Sequence, residues 1–405
     1  MVSARGRRML GHFRTLSGED ESVKKFDQIL EQGVSQGAVP GVSATVVTSS
    51  GVLWEGAAGE RRLGSGVPMT VDTVGAIHSM TKAVTGAAAM QLVEKGELHL
   101  DAPAGSVIPW LGEVEVLDGF DGEGQPLTRK PRSLPTLRQL LTHTSGFVYE
   151  IWNENDARWR EVTGAPGLFL GKNDSLKVPL AFDPGTRWEY GIGIDWVGKM
   201  VEIASGLTLG AYLEKNLTGP LRMTDTAFAP TASMLDRAAS VHARKADGSL
   251  EVASSSRSEE PEFEMGGGGL QSTMRDYGRF IRMMLNEGTL EGERVLDPET
   301  VRVMATNQIG DLRVCQLKSL APMYSNHAEF FPGEPKSWGL TFQINETACD
   351  TGRPAGTLMW AGLANSFFWI DLENGMGGAY LSQILPFADE GSMDLFFEIE
   401  REAYR

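Results

Sequence analysis

The sequence predicts an α+β fold, with an antiparallel sheet flanked by helices, built from both chain ends and interrupted by a mostly helical inserted domain. Three observations carry that prediction. A charged amphipathic helix and two strand-like runs lie near the N-terminus. Four further strand-like runs and a closing helix fill the end of the chain. Between them, proline- and glycine-punctuated loops alternate with short helices. The implied division is residues 1–101 with 262–405 for the sheet domain, and 102–261 for the helical one.

Each element has a local cause. Glu19 to Gln32 spaces its apolar residues for one helical face and reads as a surface helix. Gly41 to Thr48 and Val52 to Gly59 read as strands joined by a turn at Ser49-Ser50-Gly51. Ala83 to Lys95 is alanine-rich and apolar, which predicts a buried helix ended by Gly96. Thr136 with Gln139 three residues later is a capping box that starts a short helix. Asp183-Pro184-Gly185 marks a turn, and an apolar helix runs from beyond it to about Ala204. The late strands are Trp338 to Ile344, Gly356 to Trp360, Phe367 to Leu372 and Gly377 to Ser382, with Asn374-Gly375 a hairpin signal between the last two. Met393 to Tyr404 closes the chain as a helix. The terminal helices are expected on one face of the sheet and the inserted region on the other, leaving a cleft between the two parts.

Bulk properties exclude several functions. With 405 residues and a net charge of −16 the chain repels nucleic acid and anionic membranes, so neither is expected as a partner. No run is long and apolar enough to span a bilayer, and the basic Arg5, Arg7 and Arg8 are followed by no apolar core, which together point to the cytoplasm. Cys315 and Cys349 read as two free buried thiols, since neither C-x-x-C nor clustered ligands are present; no metal or cofactor is expected. H-E-x-x-H, the phosphate loop G-x-x-x-x-G-K-[ST] and a G-x-G-x-x-G after a strand are all missing.

The chemistry concentrates at Ser79-Met80-Thr81-Lys82, where a strand-like run gives way to the alanine-rich helix. A serine hydroxyl needs a proton acceptor within reach, and positions i and i+3 of a helix share a face. The helix N-terminus adds free amides and a positive dipole end for an oxyanion. The same pattern occurs at Ser22–Lys25, but there it lies on the charged surface helix and reads as a solvated face. Tyr190, after the Asp183-Pro184-Gly185 turn, is the candidate third group. To act as a proton acceptor it needs a lowered pKa, which a Lys82 ammonium would supply. The alternative is a half-buried structural tyrosine. Trp360-Ala361-Gly362-Leu363 sits at a strand end, where a glycine permits close backbone approach and the Leu363 amide would join that of Ser79 in an oxyanion hole; the alternative is an ordinary strand turn.

In this order and context the three parts resemble the serine β-lactamase/penicillin-binding-protein superfamily, with S-x-x-K, a Y-x-N-like and a K-T-G-like element. Leu140-Leu141-Thr142-His143-Thr144-Ser145-Gly146 and Gly266-Gly267-Gly268-Gly269-Leu270-Gln271-Ser272-Thr273 are similar to segments of its class C branch. The resemblance runs from about Phe26 to the C-terminus, and Trp360-Ala361-Gly362 is most similar to the W-x-G of family VIII carboxylesterases. It implies a β-lactamase-like fold, Ser79 as nucleophile with Lys82 its partner, Tyr190 as general base and proton relay, and the Ser79 and Leu363 amides as oxyanion hole. Trp360, Gly362 and Ile192 would then line the substrate. Two departures from the family pattern bear on that substrate. Trp360 stands where a lysine would hold a β-lactam carboxylate, and Ile192 where an asparagine would bind its acylamide. Both changes favour neutral carboxylic esters of short to medium chain over anionic β-lactams. An acyltransferase on the same scaffold, a weak β-lactamase or D-amino-acid peptidase, and a non-catalytic scaffold protein are the alternatives. The expected partner is a small ester, and the oligomeric state stays open.

Two decoys accompany the site. Gly33-Val34-Ser35-Gln36-Gly37 matches the nucleophile elbow G-x-S-x-G, but a helix precedes it and a strand follows, inverting the required order. His143 would serve a Ser-His-Asp scheme, yet its short helix-to-turn setting reads as structural. The four-glycine run reads as a loop edging the cleft. Trp110, Phe147, Trp152 and Trp188 are candidates for an apolar cleft wall or for core.

Overall fold

The computed structural model describes residues 16–253 and 261–405. Among these residues a seven-stranded antiparallel sheet organises the chain, formed by β1 (Gly41–Thr48), β2 (Val52–Gly59), β3 (Lys336–Trp338), β4 (Gln343–Asn345), β5 (Leu358–Gly362), β6 (Ser366–Asp371) and β7 (Met376–Leu381). Their spatial order is β3-β4-β5-β6-β7-β1-β2. β1 pairs with β7, Ser43 opposite Leu381, so the two ends of the chain meet inside one sheet as predicted. Asn374-Gly375 does turn β6 into β7, with the Asp371 carboxylate accepting from the Asn374 backbone and side chain.

Helices cover both faces. They include α1 (Leu16–Ser35), α2 (Thr81–Glu94), α3 (Leu137–Leu141), α4 (Gly193–Ser205), α5 (Met274–Leu285) and α6 (Glu390–Ala403). β6 shows why its central run, Phe367 to Ile370, is apolar throughout. Phe367 and Trp369 meet Phe396 of α6 at 4.9 and 5.7 Å, while Phe368 between them meets Tyr277 of α5 at 5.1 Å. Successive residues point to opposite faces, so burying both faces requires every position to be apolar. Each aromatic pair adds about 1 kcal/mol beyond the area it buries.

Two expectations about the fold change. The face opposite the terminal helices is covered by α5, which follows the inserted region and packs on β1 and β7. Trp338 to Ile344 is not one strand but a tight reversal, Trp338 pairing with Gln343, because Thr341 takes a φ of 80° and turns the chain. The capping box at Thr136 is present, both reciprocal bonds made. Cys315 and Cys349 are free, but neither is buried as expected: Cys315 is exposed and Cys349 half-buried. Among the described residues no helix is long and apolar enough to cross a membrane.

Candidate active site

Ser79 lies in a 3-10 turn, His78–Met80, that runs directly into α2. His78, just before it, takes a φ of 43°, a conformation that bends the chain sharply. One turn on, Lys82 is fully enclosed, and its Nζ lies 3.1 Å from Ser79 Oγ, 2.8 Å from Tyr149 Oη and 2.6 Å from the Gly267 carbonyl oxygen. Burial pulls the Lys82 amine from 10.5 down to about 7, against the opposing pull of the Asp195 charge.

Tyr190 reaches the same spot from the loop before α4. The turn ahead of it is fastened by Arg129, whose guanidinium donates to both Asp183 oxygens at 3.0 and 2.9 Å. Lys82 Nζ stands 4.9 Å from the Tyr190 ring centre, and Trp360 Nε1 donates to Tyr190 Oη at 3.0 Å. The lowered tyrosine pKa expected from a nearby ammonium is not what the structure gives. Burial raises Tyr190 and outweighs the hydrogen bonds from Ser79 and Trp360 that pull it down. The amine, not the phenol, is the group brought near neutrality.

Gly362 of β5 passes so close to the segment before Ser79 that a Cβ would fall 2.3 Å from the Ile77 carbonyl oxygen. That approach sets Leu363 beside Ser79 on the wall of a cavity of about 780 Å³. Gly267, Gly268 and Gly269 edge the same cavity, as the glycine run suggests. Its mouth is apolar: Phe169 and Leu170 are exposed, and the Phe169 ring meets Tyr324 at 5.6 Å.

The structure thus brings Ser79, Lys82, Tyr190, Trp360 and Leu363 together. Trp360, Gly362 and Ile192 do not line the cavity. Trp360 is enclosed against Tyr190 and Trp338, Gly362 serves by its missing side chain, and Ile192 is wholly buried at the start of α4. Of the four cleft candidates Trp152 lines the cavity, whereas Trp110 stacks on Trp196, Phe147 meets it tilted, and Trp188 is buried against Trp338. His143 commits its Nδ1 to the Gly191 amide at 3.3 Å, and burial with the Lys82 charge holds it well below 6.5. Ser35 ends α1 with its Oγ on the Gln32 carbonyl. Ser22 falls within α1, and Lys25 pairs with Glu402 of α6.

A family model described as "Beta-lactamase" matches residues 26–400. The chain belongs to the beta-lactamase family. Within it, lovastatin esterase of Penicillium rubens is 30% identical over 392 residues, covering 94% of this chain and 98% of its own length. Monacolin J acid methylbutanoyltransferase of Aspergillus terreus is 31% identical over 83% of each chain. The solved simvastatin synthase of Aspergillus terreus superposes with a TM-score of 0.83 at 29% identity, covering 95% of this chain and 98% of that one. This beta-lactamase-family chain therefore carries a scaffold shared by serine esterases and acyltransferases, in keeping with the family VIII-like branch its W-x-G suggests.

Tyr149 and Asp195 are the site residues that sequence reasoning missed. Tyr149 follows three residues after the family-like segment ending at Gly146, and that position was its only signal. Asp195 is the acidic residue in the first turn of α4, where a carboxylate reads as an ordinary helix-dipole partner.

Proposed function

We propose that the protein is a serine hydrolase that cleaves short- to medium-chain carboxylic esters through an acyl-enzyme on Ser79. One observation carries the reading: an enclosed amine with a pKa near neutrality sits 3.1 Å from the Ser79 hydroxyl. When neutral, Lys82 keeps two hydrogens for Tyr149 and Gly267, and its lone pair is left for the Ser79 proton. Ser79 Oγ then attacks the ester carbonyl, and the developing oxyanion is met by the Ser79 and Leu363 amides. The C–O bond to the alcohol breaks as that alcohol takes the proton, passed on through Tyr190 Oη. Water then attacks the acyl carbonyl as its proton passes through Tyr190 Oη to Lys82; the bond to Ser79 Oγ breaks, Ser79 takes that proton back and the acid leaves. Because burial keeps Tyr190 protonated, it serves here as a relay rather than as the resting base.

The division into a sheet domain and a helical domain at 102–261 is kept as a proposal, with the cavity at their junction. Two unpaired cysteines suit the reducing cytoplasm, where we place the reaction. A second reading, transfer of the acyl group to an alcohol, is favoured by the apolar mouth at Phe169, Leu170 and Tyr324 and by the acyltransferase relatives. The test is intact-mass measurement with peptide mapping after exposure to an alkyl phosphonate, a short p-nitrophenyl ester and a cephalosporin, with and without an added alcohol. Ser79 should carry the adduct, Ser79→Ala should lose turnover, and Ser35→Ala should keep it. An adduct on another residue, or none, overturns the reading; ester product formed faster than free acid selects the acyltransferase.

A further inference from the structure

The proposed chemistry leaves without a task the buried carboxylate that lies on the cavity wall. Asp195 is 1% exposed at the start of α4 and borders the cavity. Its Oδ1 accepts from the Gly267 amide at 2.9 Å, and among the described residues its Oδ2 has no hydrogen-bond partner. A Cβ at Gly267 would fall 2.4 Å from that oxygen, so only glycine fits against the carboxylate. The Gly267 carbonyl holds Lys82, and the neighbouring Gly266 carbonyl accepts from Thr85 Oγ1 at 2.7 Å. Two glycines are thereby pinned between α2 and α4 by three side chains.

We propose that Asp195 is the positioning residue for Lys82: it clamps the Gly267 backbone that holds the amine, placing a carboxylate on the amide of the same glycine whose carbonyl Lys82 grips. The inference rests on the reading of Lys82 as base for Ser79. The groups around the pair come from every packed element. Tyr149 and Tyr190 approach with raised proton affinity, Glu150 acts on Tyr149 from behind, and His143 is held neutral. Burial raises the Asp195 carboxyl, opposed by the Lys82 charge and the Gly267 amide, and the Asp195 charge in turn opposes the lowering of Lys82 by its own burial. A buried anion beside a buried cation stabilises the protonated amine.

The test is the pH dependence of kcat/KM for Ser79-dependent ester hydrolysis. Asp195→Asn keeps an acceptor for the Gly267 amide but removes the charge. Its acid limb should move down by about one pH unit, with a plateau about tenfold lower because the amine is a weaker base. Asp195→Ala loses the clamp as well, and should lower kcat further with KM nearly unchanged. Thr85→Val unties the neighbouring carbonyl without touching charge and should leave the limb in place. An Asp195→Asn limb that coincides with the native one, or a Thr85→Val limb that moves as far, overturns the inference. If Asp195→Asn fails to fold, 13C titration of the Asp195 carboxyl and the Lys82 Cε in Ser79→Ala protein decides it: a carboxyl protonated across the working range refutes the charge role. Loss of turnover in Ser79→Ala establishes the parent reading first, so an unmoved limb then sinks this inference alone.

Discussion

Replacing Lys82 with methionine separates what the amine does for chemistry from what it does for the fold. At pH 8 the folded chain holds neutral an amine that the unfolded chain would protonate, since burial has lowered it from 10.5 to about 7. That imposes a penalty of about 3 kcal/mol. Methionine fills similar space without the penalty, but leaves the Ser79 hydroxyl, the Tyr149 hydroxyl and the Gly267 carbonyl without the Lys82 amine, at about 1 kcal/mol each. The two effects offset, so the variant should be about as stable as the native protein at pH 8, while kcat falls by about 10³. The sign follows from proton counting. Between about 7 and 10.5 the unfolded chain binds more protons at this site, so native stability rises with pH and the penalty is gone above 10.5. There only the lost hydrogen bonds remain, and the variant should become the less stable of the two. Denaturant unfolding across that range, beside initial rates on a p-nitrophenyl ester, reads both effects. A variant destabilised equally at every pH would refute the argument that this lysine is held neutral by burial.

Two further outcomes follow from the same geometry. Activity should rise with pH through about 7 as Lys82 loses its proton; a kcat/KM profile with an acid optimum contradicts the assignment. Trp360→Phe removes the Nε1 donor from Tyr190 Oη; kcat should fall about tenfold, equivalent to ~1.4 kcal/mol, with KM little changed. A loss confined to thermal stability would leave Trp360 a packing residue.

What the sequence disclosed, and what it withheld, follows physical lines. β1 and β2 were legible because alternation and turn chemistry are local. Trp338 to Ile344 was not, because its reversal depends on Thr341 adopting a positive φ that no local residue type announces. The Ser79–Lys82 pair was legible because one helical turn fixes it. Tyr149 and Asp195 reach Lys82 through tertiary packing, and sequence spacing carries no record of that. The sign of the Tyr190 shift needed the degree of burial as well as its neighbours, and burial prevailed. Trp360 was foreseen as the replacement for a lysine, yet its indole proves to address the tyrosine and not the cavity.

The pairing of Ser43 with Leu381 has a consequence for how the chain is made. During synthesis β1 and β2 wait for β7 while everything between Gly59 and Met376 is translated, with one edge of their hairpin open. Closing a loop of that length is slow and exposes apolar strand edges meanwhile. The same delay separates Ser79 from Trp360 and Leu363, which arrive only in and just after β5. On the proposed chemistry, a product terminated before β5 would hold Ser79 and Lys82 but lack Leu363, and should acylate nothing.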